Sequence, residues 1–465
     1  MPAPVAKAIE WLVVCFGALF CVVWSLTFLG FPAFKQLYLG YIPVVAGLLL
    51  GSIFCLPSVR RIGNGLLDAV RPGPFIAVTV LLGFLLRGCC IFLLPGEPQN
   101  DPAFFHRYAV KLLAGQGYGQ DGWKAFFPPG MSFLLAAWYR VTTPNPFAGE
   151  WLNAIFGTMW IPLVFAIGRR TISERSGKWA ALLTAIMPTL VLYSATLGYE
   201  LVLGFVFLAT IYLALLVVDF PKYGLVLSIP LGLLLGFGSL IKPICIPIPV
   251  LLVIWWLLLG LGRRSFFCGS VTLATMVCVI GPWTWRNYEE LDHRFVLVST
   301  NGGVVLYSAN NSHTEGLYTA VEPLPGESDE VSTDRQRSKA AIEWIKSHPD
   351  RFLRLMVNKA LFTWGTSTQI MSVISYDRLT PNEEKLYMGL INVFWGALLV
   401  QVVTATFTTR IWHERRLYVA LALLAYIFLI HIVSEAMSRH HIPVIGVLTL
   451  IASAALARNG RKVTD

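Results

Sequence analysis

The stretch Gly96–Gly130, GEPQNDPAFFHRYAVKLLAGQGYGQDGWKAFFPPG, holds the residue types best suited to chemistry. A carboxylate at a membrane surface, such as Asp101, takes a proton from an attacking hydroxyl as a general base. The same Asp before Pro102 also suits the N-cap of a helix. Glu97 and Asp121 read as solvated loop acids. Glu200 either orients a substrate, binds a metal or is an ordinary interfacial acid. Arg87 lies inside an apolar run, where it snorkels, pairs with a carboxylate or faces a phosphate. Lys242, Arg286, Arg439, His440 and His441 come from distant parts of the chain, but all fall at the ends of apolar segments. Together they suit an anion such as a lipid phosphate; singly, each meets a lipid headgroup. Lys242 and Arg439 sit in very short hairpins, which favours a shared site for that pair. His440-His441 is a poor zinc pair, because neighbours on a helix point apart and no third ligand stands at helical spacing. No metal ligands and no cofactor are assigned, and a possible divalent metal stays open.

The elements that must position these residues are membrane helices. The chain has 465 residues, of which 56% are hydrophobic and only 13% charged. This is the composition of an all-α polytopic membrane protein. The net charge of +10 does not point to nucleic acid, because the basic residues form short clusters between apolar segments. The eight cysteines (15, 21, 55, 89, 90, 245, 268 and 278) show no paired CxxC spacing and read as packing residues. A disulfide between Cys89 and Cys90 would be strained. Taking roughly twenty apolar residues per span predicts about twelve transmembrane helices. They fall near 9–30, 38–57, 74–94, 150–168, 178–195, 200–218, 224–241, 244–261, 267–284, 387–408, 416–434 and 440–457.

The basic clusters set the orientation. Arg60, Arg61, Arg71; Arg169, Arg170, Arg175, Lys178; Arg263, Arg264; Arg410, Arg415, Arg416; and Arg458, Arg461, Lys462 all fall on one side if both termini are cytoplasmic. Two long outer loops, 95–149 and 285–386, then share the other side. In the first, Phe104, Phe105, Tyr108, Ala109, Leu112 and Leu113 make one apolar face of a juxtamembrane helix that Gly115–Gly119 ends. A second short amphipathic piece, Met131 to Val141, follows Pro128-Pro129. The second outer loop opens at Pro282, and its Arg335–Trp364 part reads as two helices broken at His348-Pro349. Asn310-Asn311-Ser312 fits a glycosylation sequon and carries little weight.

The order of acid, surface helix, Leu112-Leu113-Ala114-Gly115-Gln116-Gly117-Tyr118 and Pro128-Pro129-Gly130 resembles the GT-C fold polyprenyl-phosphate-sugar-dependent glycosyltransferases. The nearest group is glycosyltransferase family 39, the protein mannosyltransferases and the aminoarabinose transferase-like enzymes. The resemblance continues in Ile241-Lys242-Pro243, Pro282–Asn287, Ser299–Gly303, Asn310-Asn311 with Gly316 and Tyr318, and Arg439, His440 and Pro443, covering about residues 74 to 457. It implies a membrane glycosyltransferase that moves a sugar from a polyprenyl-phosphate-linked donor to a glycan, lipid or protein acceptor, with inversion, at the periplasmic face of the inner membrane. It implies Asp101 as base, with Lys242, Arg286 and Arg439 on the leaving phosphate. Tyr108, Tyr118, Glu200 and His440 complete the expected substrate-binding set. The chain departs from the protein mannosyltransferases in having Asp101-Pro102 where they carry Asp-Glu, and in two extra helices over 1–73. The expected division is therefore 1–73, a core over 74–284 with the catalytic loop 95–149, the second loop 285–386 and the helices of 387–465. A transporter or flippase of lipid-linked sugars is disfavoured by the long structured loops and the lack of an internal repeat. In a ligase or polymerase of O-antigen type, arginines would dominate the outer loops.

Overall fold

The computed structural model describes residues 42–120, 122–365 and 379–458. The predicted span 9–30, together with Cys15, Cys21, Asp121, Arg461 and Lys462, lies outside the described residues. Within them the chain is helical, in the order α1 (Ile42–Cys55), α2 (Pro57–Ala69), α3 (Pro72–Leu93), α4 (Asn100–Leu113), α5 (Gly130–Tyr139), α6 (Pro146–Thr171), α7 (Glu174–Ile186), α8 (Pro188–Leu192) and α9 (Glu200–Asp219). It continues with α10 (Gly224–Ile241), α11 (Ile248–Leu258), α12 (Arg263–Glu290), α13 (Gly302–Ser308), α14 (Glu330–Ser347), α15 (Pro349–Trp364), α16 (Pro381–Thr408), α17 (Tyr418–Val433) and α18 (Ile445–Leu456).

Among the described residues, eight helices are long and apolar enough to cross a membrane, or up to ten when two bent pairs are each taken as one span. Of the twelve expected spans, 9–30 lies outside the described residues, and three of the others take a different form. The predicted span 38–57 bends by 70° into α2, and 178–195 bends by 51° between α7 and α8. Pro57 and Pro188 stand at these breaks, where the missing N–H cannot continue the hydrogen-bond ladder. The predicted span 244–261 shortens to α11, which follows a turn at Pro243–Cys245.

The α7–α8 break explains Arg87. Pro188 leaves the carbonyl of Thr184 without its helical donor. Arg87, fully buried in α3, donates to the carbonyls of Thr184 and Ala185 at 3.4 Å and to Gly83 at 2.9 Å. It therefore neither snorkels nor meets a phosphate. A second departure lies at Pro282. The helix runs through it to Glu290 instead of giving way to a loop. Trp283 and Asn287 hold this extension by donating to the carbonyls of Val296 and Val298.

The arginine clusters meet at one end of the bundle. Arg175 pairs with Asp68, Arg170 and Arg416 share Asp219, and Arg60 donates to the carbonyl of Ala455. The two long loops pack on each other at the opposite end. Glu330, at the start of α14, accepts from the backbone N–H groups of Lys124 and Ala125 and from the Thr300 hydroxyl. The Thr300 N–H donates to the Ala125 carbonyl at 2.9 Å. The predicted break at His348-Pro349 separates α14 from α15. Asn310 and Asn311 are buried and hydrogen-bonded, which closes the sequon to glycosylation. The six described cysteines are free.

Candidate active site

Asp101 does not cap its helix. The chain turns through a left-handed Asn100 (φ 54°), a conformation Asn tolerates better than most residues. Gln99 takes the N-cap position without a side-chain cap bond, and Asp101 falls inside the first turn of α4. There the exposed backbone N–H groups favour a negative charge, and the side chain is free to leave its own helix. It accepts from Nη2 of Arg439 at 2.6 Å. Arg439 lies on a 3-10 segment, Ser438–Val444, between α17 and α18. Its Nη1 stands 3.8 Å from the Oε1 of Glu200, the first residue of α9. One guanidinium thus bridges two carboxylates from distant parts of the chain.

Gly130 brings the first loop against the Lys242 hairpin. A Cβ there would lie 2.6 Å from the Ile241 nitrogen, so the Pro-Pro-Gly turn passes where only glycine fits. Lys242 donates to the Tyr199 hydroxyl at 2.9 Å and sits 5.0 Å from the centre of that ring. His431 and His440 stack at 3.9 Å beside it, each with a buried Nδ1 that has no protein partner.

Two cavities open at this place. The first, of about 450 Å³, is lined by Lys242, His431, His440, Ser299, Asp334 and Gly302-Gly303 at the start of α13. The second, of about 480 Å³, has an aromatic lining of Phe104, Tyr108, Trp123, Phe126 and Tyr318. Asp101, Phe127, Asn301, Val305, Glu435 and Arg439 line both and form the wall between them.

The structure therefore brings together Asp101, Glu200, Lys242, Arg439 and His440, with Tyr108 at the edge. It does not bring Arg286 or Tyr118 to the cavities. Arg286 donates to the carbonyls of Lys124 (2.7 Å) and Tyr118 (2.9 Å). Tyr118 is buried and donates to the carbonyls of Phe127 and Pro128. Both shape the first loop from behind. His441 points away and bonds the Thr363 carbonyl at 2.7 Å.

His431 and Asp334 escaped the sequence reading, and so did two further buried residues. Glu435 is buried, with Oε1 lacking a protein partner, and burial pushes its carboxyl up to about 7. Lys359, fully buried on α15, donates to Asn310 Oδ1 (2.7 Å) and to the Val433 carbonyl (3.0 Å), and burial brings it down to about 7. An acid in a hairpin too short to reach bulk water was the available signal for Glu435. Lys359 gave none, because it lies in a helix whose neighbouring charges are solvated. Among the described residues, no three His, Cys, Asp or Glu side chains gather as a metal site.

Comparison with known proteins bears on the fold that carries these residues. Residues 127–285 match the family described as dolichyl-phosphate-mannose-protein mannosyltransferase. Lys242 and Glu200 lie inside that segment, and Asp101 and Arg439 lie outside it. No curated protein matches the chain at the level of sequence. Among solved structures, the apo oligosaccharyltransferase of Archaeoglobus fulgidus is similar with a TM-score of 0.50 at 13% identity, over 82% of this chain and 50% of that one. The same archaeal AglB in complex with an inhibitory peptide and a dolichol-phosphate gives 0.50, 13%, 82% and 49%. ArnT from Cupriavidus metallidurans bound to undecaprenyl phosphate gives a TM-score of 0.41 at 13% identity, covering 83% of this chain and 77% of that one. This chain spans about half the length of the archaeal proteins. The protein thus has the GT-C fold of the membrane glycosyltransferases. Its middle third carries the sequence pattern of the mannosyltransferase family within that fold.

Proposed function

We propose that this protein is a membrane glycosyltransferase that takes a sugar from a polyprenyl-phosphate-linked donor and passes it to an acceptor hydroxyl or amine. The observation that carries the reading is the Asp101–Arg439 ion pair, standing between a polar cavity that holds Lys242 and an aromatic one. The polar cavity suits the donor phosphate at its Lys242 side, with Lys242, Arg439 and His440 as partners. Bond cleavage places charge on the departing phosphate, and cations fixed beforehand stabilise that charge. Asp101 takes the acceptor proton as the nucleophile attacks the anomeric carbon from the aromatic side, and the configuration inverts. The aromatic lining suits the apolar face of a sugar ring, favouring a glycan among the glycan, lipid and protein acceptors. Support also comes from the shared fold, since an AglB structure holds a dolichol-phosphate together with a peptide. The arginine-rich end of the bundle faces the cytoplasm on this reading, which puts the site on the periplasmic side of the inner membrane.

Asp101→Asn keeps the side-chain shape and removes the base. Transfer from polyprenyl-phosphate sugar in membranes is expected to fall by about 100- to 10,000-fold, the usual share of a general base, with protein abundance unchanged. Activity surviving in that variant would remove Asp101 from the role.

A further inference from the structure

Glu435 is the one carboxyl of the two-cavity wall that no cation hydrogen-bonds among the described contacts. Asp101, its neighbour on that wall, is held by Arg439. The Oε1 of Glu435 is buried and has no protein partner. The turn that carries it is tightly built. The Val433 and Ser434 carbonyls accept from Asn310, Val433 also accepts from Lys359, and the Ala436 N–H donates to the Gly316 carbonyl. Three elements of the second loop thus fix one short turn. The groups around it are Arg439 and His440 on its own segment, Asp101 on α4, Lys242, His431 on α17, Asp334 on α14 and Lys359 on α15. A carboxyl so enclosed keeps its proton near neutrality.

We propose that Glu435 is a second carboxyl of the reaction centre, which carries a proton and delivers it to the departing lipid phosphate. The proposal rests on the glycosyl-transfer reading above. In the step, an acceptor oxygen lone pair forms the bond to the anomeric carbon, and the bond from that carbon to the phosphate oxygen breaks with its electron pair going to the phosphate. The acceptor proton passes to Asp101, and the Glu435 proton passes to the phosphate oxygen. Asp101 ends protonated and Glu435 ionised, and moving one proton from the first to the second restores the site. No other reactant is needed. Two carboxyls whose surroundings separate their roles are the pattern of paired acid and base.

The test uses the purified full chain in detergent micelles with dolichyl phosphate as probe. Bringing a phosphate beside Glu435 favours its protonated form, so binding to the wild type at pH 7.5 takes up protons. Calorimetry in two buffers of different ionisation enthalpy reads this uptake, and Glu435→Gln abolishes it. At pH 6 the two proteins bind alike. At pH 8.5 the wild type binds roughly tenfold more weakly than Glu435→Gln, because it must first regain a proton. Glu435→Asp keeps the pH step. Equal pH profiles for wild type and Glu435→Gln overturn the role of Glu435 and leave the lipid-phosphate reading standing. Wild-type binding without proton uptake overturns it equally, with no variant required. Failure of the wild type to bind dolichyl phosphate at any pH defeats the lipid-phosphate reading and this proposal with it.

Discussion

Arg439 holds two carboxylates, and that alone sets the cost of changing it. Asp101 and Glu200 both approach its guanidinium, and Glu200 is deeply buried. Removing one partner of a buried ionic set strands the other charge, at about 3–5 kcal/mol. Arg439→Ala therefore confounds binding with folding. Lys242 is the cleaner probe, since its described hydrogen bond is to the Tyr199 hydroxyl. Lys242→Ala is expected to weaken binding of polyprenyl phosphate by about tenfold, on the scale of one charged hydrogen bond, with little change in thermal stability. A titration of the detergent-solubilised protein with the lipid checks this, and unchanged affinity would remove Lys242 from the phosphate site.

Helix breaks organise the next scale. The α7–α8 break is tolerated because Arg87 replaces the donor that Pro188 lacks. Arg87→Met fills much of the space and supplies no donor, leaving buried carbonyls unsatisfied. The expected loss is about 1–3 kcal/mol, read as a lower melting temperature. A melting temperature equal to that of the wild type would mean another donor satisfies those carbonyls. This element also shows where the sequence was legible and where it was not. Runs of roughly twenty apolar residues located the spans, because lipid demands long apolar helices. It did not reveal bends, since a proline break kept apolar on both sides has the composition of a continuous span. The α14–α15 break was legible because His348-Pro349 punctuates a polar sequence. The Asp101 cap was misread because its helix starts two residues early, through a left-handed Asn100 that no spacing rule announces. The meeting of Asp101, Lys242 and Arg439 was legible from topology: each lies at the same end of its helices. The displacement of Arg286 was not, since only the tertiary fold shows it serving the Lys124 and Tyr118 carbonyls.

At the scale of the molecule, one buried acid of the second loop takes a large part in holding the first in place. Glu330 is buried and accepts from Lys124, Ala125 and Thr300. Glu330→Ala leaves those donors unsatisfied, so amide exchange at Lys124 and Ala125 is expected to speed up by about tenfold or more, while α9 keeps its protection. Exchange monitored by mass spectrometry decides this; equal protection in both proteins would show that the loops stay docked without Glu330. Aromatic residues of the second cavity, Trp123 and Phe126, flank this clamp, so loop docking and cavity shape are tied together.

The wall shared by the two cavities has a kinetic meaning on the proposed reading. Two chambers that share one wall of six residues hold donor and acceptor side by side, with the reacting groups on that wall. Donor and acceptor must then be resident at once, and turnover follows a ternary complex, with double-reciprocal plots that intersect and no glycosylated form of the protein along the way.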